Sequence, residues 1–170
     1  MLFRSLFEQG GDPKGCWCAW YRVANRDWTN STPPQNRALL EELAAGVQAP
    51  DLVAYRGDKV VGWVSLGPRE DFERLAHSRI LAPVDDRPVW SIVCFVVGKR
   101  ERGQGIAGAL LAAAIDHARA NGATTVEAYP VERDSPSYRF MGQRSTFLAA
   151  GFEETGMAGS RRHVMRLRLG

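Results

Sequence analysis

The chain has 170 residues, enough for one domain spanning 1–170 and too few for an enzyme with a separate substrate domain. Apolar residues make up 45% and charged residues 24%, close to the globular average, so disorder is not expected. Lys and Arg total 22 against 19 acidic residues; the net charge of +3 is too weak to argue for nucleic acid and suits an anionic small ligand equally well.

The opening residues, MLFRSLFEQGGDPKG, lack the apolar stretch and cleavage site of a signal peptide. No apolar run approaches the ~20 residues of a membrane span. With an odd set of cysteines, Cys16, Cys18 and Cys94, this leads us to expect a cytoplasmic protein with reduced thiols, not bound to a membrane.

In chain order, CWCAWYRV (16–23) is aromatic-rich and alternating and predicts a strand. Thr32 as N-cap and Pro33 at the first helical position predict a helix to about Gln48, with Leu39, Leu40, Leu43 and Val47 on one face. Residues 51–66 predict a hairpin around Arg56-Gly57-Asp58-Lys59, followed by a short helix at 70–76 and a loop at 77–88. VWSIVCFVV (89–97) is the continuous apolar run of a strand buried on both faces.

From Gln104 to Ala120 the period becomes helical, with Ile106, Leu110, Leu111, Ala114, Ile115 and Ala118 on one face and Asn121-Gly122 as a stop. TTVEAYPV (124–131) predicts a strand that completes a right-handed parallel βαβ unit. A short helix near Ser145–Ala150 and strands around 152–157 and 162–169 finish the chain. The expected class is α/β or α+β: a single mixed, mostly antiparallel sheet with a central parallel βαβ crossover, flanked by helices.

The segment VVGKRERGQGIAGALL (96–111) takes a buried strand through a basic, glycine-rich turn into a helix. Unpaired N–H groups at a helix start and the helix dipole attract an anion, and glycines let a phosphate reach the backbone. Gly103-x-Gly105-x-x-Gly108, with Glu127 near the ribose-binding distance, fits a dinucleotide fingerprint. Against it, five residues separate the strand end from the first glycine, and too little chain remains for further βαβ units. A triphosphate P-loop is excluded, since no Gly-Lys-Ser/Thr follows.

The overlapping pattern Arg102-x-x-Gly105-x-Ala107 resembles the acyl-CoA-binding signature of the GNAT N-acetyltransferase superfamily, Gln/Arg-x-x-Gly-x-Gly/Ala. The strand ending at Val97 stands where that family's fourth strand does, and FLAAGFEE (147–154) is similar to its second signature, a short helix ending in Gly-Phe. The final basic-apolar strand HVMRLRL agrees as well, and the likeness covers roughly 50–169 well and the first 50 residues loosely.

The resemblance implies that backbone amides of Arg102, Gly103, Gln104, Gly105, Ile106 and Ala107, with Gly108 beside them, hold the diphosphate of acetyl-CoA, used as cosubstrate without a metal. It also implies that the pantetheine arm pairs with Phe95, Val96 and Val97 at the strand edge, where an N–H stabilises the developing oxyanion. A primary amine of an acceptor, small molecule or protein, attacks the thioester directly. Many members carry a Tyr four residues before the Gly of Gly-Phe; here that residue is Phe147. Tyr138 is the nearest tyrosine and the candidate general acid, with Thr146 and Ser145 behind it, and Glu127 is the candidate base. A CoA-binding module without catalysis is the alternative that Phe147 leaves open.

Other residues divide between packing and site. Cys94 reads as a buried structural thiol, and alternation puts Cys16 and Cys18 on one strand face, as core. Trp17, Trp20, Tyr21 and Trp63 either pack or wall a cleft; Arg69 sits in a solvated turn or binds an acidic substrate group. His77, His117 and His163 are scattered and read as surface or packing. Exposed sheet edges leave room for a homodimer.

Overall fold

Residues 3–8, 15–46 and 51–170 are described by the computed structural model. The helices α1 (Arg4–Leu6) and α2 (Asn25–Asn30) precede α3 (Pro33–Ala45). Helix α3 starts as the sequence predicts: Thr32 is the N-cap, and its backbone N–H donates to Gln35 Oε1 at 2.8 Å. Its expected end, with Val47 and Gln48, falls outside the described residues. The sequence gives no warning of α2, a polar turn of helix with no buried residue. Its Trp28 packs edge-on against Trp20, with ring centroids 5.1 Å apart.

Residues 16–23 do not form the expected strand. Ala19–Tyr21 is a 3₁₀ turn, and Trp17 and Cys18 take left-handed conformations, with φ of 50° and 54°. The reason is burial. Trp17, Cys18 and Ala19 are consecutive and all buried, with Trp17 and Cys18 in one apolar cluster. A strand would send Trp17 and Cys18 to opposite faces, so only a coiled segment buries both together.

The hairpin follows as predicted: β1 (Asp51–Arg56) pairs antiparallel with β2 (Lys59–Pro68). Next come α4 (Glu73–Ala76), β3 (Trp90–Val97), α5 (Ile106–Ala120), β4 (Thr125–Ala128), α6 (Arg144–Ala149), β5 (Glu153–Ala158) and β6 (Arg162–Arg168). The strands form one sheet in the order β1-β2-β3-β4-β6-β5, parallel only between β3 and β4 and antiparallel elsewhere. This is the mixed α/β class expected, with the βαβ unit at its centre.

Both faces of the sheet are covered. On one face, the predicted stripe of α5 packs on Val64, Leu66, Ile92, Val126 and Met165. The other face carries two clusters. One joins Phe3, Phe7, Trp17, Leu40 and Trp63; the other joins Tyr21, Phe72, Leu75, Val93, Tyr129 and Met141.

Strand β4 is shorter than the sequence suggests, and its contact with β3 is brief. The register covers only Trp90↔Val126, Ser91↔Glu127 and Ile92↔Ala128. Beyond Ile92, β3 keeps β2 as its partner on one side, through Cys94 to Val97, after an irregularity that leaves Val93 unpaired in the register. Among the described residues no strand pairs with β3 past Ile92 on the β4 side.

Val126 and Ala128 face α5, so alternation turns Glu127 to the opposite face. There Glu127 is 1% exposed and fully engaged. It accepts from Arg69 Nη1 at 3.0 Å, Arg166 Nε at 2.7 Å and Tyr129 Oη at 2.6 Å. Arg69 also donates to the carbonyls of Leu75 and Leu81, and Arg166 reaches Asp85 at 2.8 Å. The network therefore ties the 77–88 loop to β4 and β6. Burial beside this carboxylate pushes the Tyr129 hydroxyl well above its ordinary pKa.

Removing one partner of a buried pair leaves the others desolvated and unpaired. Glu127→Ala is expected to cost about 3–5 kcal/mol of stability, read from urea unfolding. A loss under about 1 kcal/mol, the range of an exposed pair, would show that the network does not hold the loop.

Candidate active site

The basic turn lies over the start of α5. Lys99–Glu101 form a 3₁₀ turn, Arg102 is extended, and Gly105 caps the helix in the left-handed region at φ 79°. No side chain caps α5, so the first-turn N–H groups have no intrahelical partner and point outward. A Cβ placed on Gly103, Gly105 or Gly108 would meet no atom within 4 Å, so the backbone faces open space there. Such a cradle of glycine backbone at a helix N-terminus fits a diphosphate.

The hairpin positions this turn. Glu101, only 9% exposed, receives Arg56 and also Lys59 Nζ at 3.2 Å. Arg56 further donates to Gln104 Oε1 at 2.8 Å. The sequence reading missed this clamp, because its partners lie some 45 residues apart. Arg102 Nε donates to the Val97 carbonyl at 3.3 Å and folds the turn onto the strand end.

The turn, the free end of β3 and α6 enclose a cavity of about 1250 Å³. Nine of the ten residues expected to contact the cosubstrate line it: Phe95, Val96, Val97, Arg102, Gly103, Gly105, Ile106, Ala107 and Gly108. Gln104 does not; its side chain faces Arg56 and the Arg100 carbonyl instead. Ser145, Thr146 and Phe147 of α6 form part of the far wall.

Phe147 is 1% exposed, with its ring edge-on to Phe95 at 6.1 Å and to Phe152 at 5.1 Å. Gly142 makes room for it: a Cβ there would sit 2.7 Å from Phe147 Cε2. The position is filled by packing and offers no polar group.

Tyr138 takes a left-handed conformation, φ 60°, and is 36% exposed. It lines a second cavity, of about 630 Å³, while the next residues, Arg139 and Phe140, line the first. The 138–142 segment thus divides the two spaces.

The structure does not bring Glu127 to this site. It lines neither cavity, and its oxygens are held by Arg69, Arg166 and Tyr129. The expectation of a base there is corrected: a carboxylate buried between two guanidiniums has no route to an incoming amine. Arg69 is likewise an internal clamp, neither a solvated turn residue nor a free substrate anchor.

The aromatic set divides. Trp17 and Trp63 are core, and Trp20 and Tyr21 wall the second cavity. Cys18 Sγ lies 3.4 Å from Cys94 Sγ, so Cys18 meets a thiol from β3 and does not share a strand face with Cys16. None of the three cysteines forms a disulfide among the described residues, and hydrogen bonding to Cys94 together with burial pushes the Cys18 thiol up.

Comparison with known proteins bears on the same residues. No curated protein matches the chain by sequence. Among solved structures, the PaiA N-acetyltransferase of Thermoplasma acidophilum in complex with coenzyme A is 13% identical, with a TM-score of 0.57 over 99% of this chain and 96% of that one. An acetyltransferase at 21% identity matches with a TM-score of 0.58 over 92% and 95%. The ribosomal-protein-alanine N-acetyltransferase of Brucella melitensis, 23% identical, matches with a TM-score of 0.54 over 93% and 97%. At these identities the likeness is one of fold. The family model for the acetyltransferase (GNAT) family matches residues 17–147, and the chain belongs to that family.

Proposed function

We propose that this acetyltransferase moves an acetyl group from acetyl-CoA to a primary amine by direct attack on the thioester. The observation that carries the proposal is one cavity in which a glycine-backbone cradle at the start of α5 meets a strand end that has lost its neighbour. The cradle supplies N–H donors for the diphosphate. The free edge at Phe95–Val97 supplies backbone partners for the amide groups of the pantetheine arm, as an added strand would. The amine nitrogen bonds to the carbonyl carbon and loses a proton to solvent, the carbon–sulfur bond breaks, and the sulfur takes a proton. An N–H at the strand end stabilises the oxyanion between these events.

Phe147 cannot donate that proton. Tyr138 stands at the boundary of the two cavities and is our candidate acid. The acceptor then enters from the second cavity. Phe147 also supports a competing reading, a coenzyme A-binding module without chemistry. Release of free thiol from acetyl-CoA with any amine of a broad panel decides for the enzyme; coenzyme A binding with no turnover on any of them decides for the module.

Gly105→Glu should weaken coenzyme A binding by at least about tenfold in calorimetry, because a carboxylate would enter the diphosphate site. Gly105→Ala carries the same left-handed strain without the charge and should bind far better than Gly105→Glu. Equal affinities for the two variants would move the diphosphate elsewhere.

Tyr138→Phe should lower kcat by at least about tenfold, since a positioned acid contributes ~10²–10⁴. Affinity for coenzyme A should barely change. A kinetically silent variant would remove Tyr138 from the mechanism and leave protonation to water.

A further inference from the structure

The second cavity holds a feature that the transfer reaction does not itself require. Three guanidiniums line it: Arg26, exposed beside Asp27, and two others, Arg74 from α4 and Arg162 from β6. Neither Arg74 nor Arg162 is paired with a carboxylate among the described residues. Arg74 donates from Nε to the Trp20 carbonyl at 2.5 Å and from Nη1 to Asn25 Oδ1, and its plane lies 3.8 Å over the Trp20 ring. Its Nη2 is buried without a partner. Arg162 lies 4.3 Å over the Tyr138 ring, is only 9% exposed, and has its Nε buried without a partner.

Such groups are costly. A buried donor without an acceptor loses the hydrogen bonds that water gave it, and a buried cation loses more. Burial accordingly presses the Arg74 pKa below its ordinary value. Elsewhere the chain pairs its buried arginines: Arg22 with Asp51, and Arg69 and Arg166 with Glu127. The acid on this cavity's rim, Glu73, lies 3.3 Å from His77, and both are well exposed. The two guanidiniums are therefore held by aromatic faces and left without an anion.

We propose that the second cavity is an acceptor site for a small amine that also carries a carboxylate, an amino acid or a close analogue with an apolar side chain. The inference rests on the acetyl transfer proposed above and names the acceptor class for it. The carboxylate fits because a guanidinium presents a planar fork of donors that a carboxylate accepts in pairs. Arg74 and Arg162 line the cavity and have no carboxylate of their own among the described residues. The apolar part fits because Trp20, Tyr21 and Tyr138 supply aromatic wall. About 630 Å³ suits a small molecule. The amine end then lies toward Tyr138 and the 138–142 segment, beyond which the first cavity begins.

The test uses products, so that it does not depend on turnover. Binding of N-acetyl-phenylalanine, N-acetyl-leucine and N-acetyl-methionine is compared by calorimetry with that of their primary amides, with and without coenzyme A. The acid of at least one pair should bind at least about tenfold more tightly than its amide, the loss expected when a charged hydrogen bond is removed. Arg162→Gln should bring the two within about threefold of each other. Arg74 is only half-buried, so Arg74→Gln supplies the same comparison should Arg162→Gln fail to fold. Equal binding of acid and amide in every pair, or a preference for the acid that survives both substitutions, overturns the carboxylate site. Coenzyme A affinity, measured on the same samples, separates the two ideas: a protein that binds coenzyme A yet ignores the carboxylate refutes the acceptor class alone.

Discussion

Past Ile92 the central strand has a neighbour on one side only. Strand β3 runs on to Val97 beside β2, while β4 ends at Ala128 and its chain turns away. Backbone N–H and C=O groups in the middle of a sheet need partners, and among the described residues no strand supplies them on that side. The edge is usable because it lies inside the molecule, walled by α5 and α6, and so is shielded from the edge-to-edge pairing that threatens outer strands. The parting also fixes where the glycine turn goes, because β3 leads straight into it. The cradle and the unpaired edge share one cavity through chain continuity alone.

The parting needs support from the other face. A sheet whose central strands separate is weakened there, and the ion-pair network around Glu127 sits beside the last paired residues. Ser91 and Glu127 are register partners, and both contact the Tyr129 hydroxyl, at 3.0 and 2.6 Å. Arg69 and Arg166 bring in the ends of β2 and β6, and through Leu81 and Asp85 the long loop. A buried charge cluster is not in itself evidence of stability, since desolvation offsets much of the attraction. Its directional hydrogen bonds do specify one arrangement of four segments that apolar packing alone would leave loosely defined.

The N-terminal region completes the second cavity. Trp20 and Tyr21 come from the 3₁₀ turn, Arg74 from α4, Tyr138 from the segment before α6, and Arg162 from β6. Such a site is assembled from short elements with little periodicity, packed on one face of the sheet. In the function proposed here, backbone holds the cosubstrate and side chains choose the acceptor.

Periodicity and turn chemistry were readable from the residues. The run 89–97, the stripe from Ile106 to Ala118 and the Gly57-Asp58 turn specify their elements because burial on one face or on two imposes a local pattern. The glycine turn was legible for the same reason: backbone needs at a helix start leave a mark within six residues. What the sequence could not decide were contacts between distant segments. Nothing local tells Glu127 that Arg69 and Arg166 will enclose it, or tells Glu101 that Arg56 will. Nor does alternation at 16–23 reveal that Trp17 and Cys18 must bury side by side, which turned an expected strand into a coil. The same holds for the carboxylate-free guanidiniums of Arg74 and Arg162, whose shared cavity exists only once α4 has packed on the sheet that contains β6. A sequence records what each residue prefers among its near neighbours; the fate of a buried charge depends on which partners the fold brings to it.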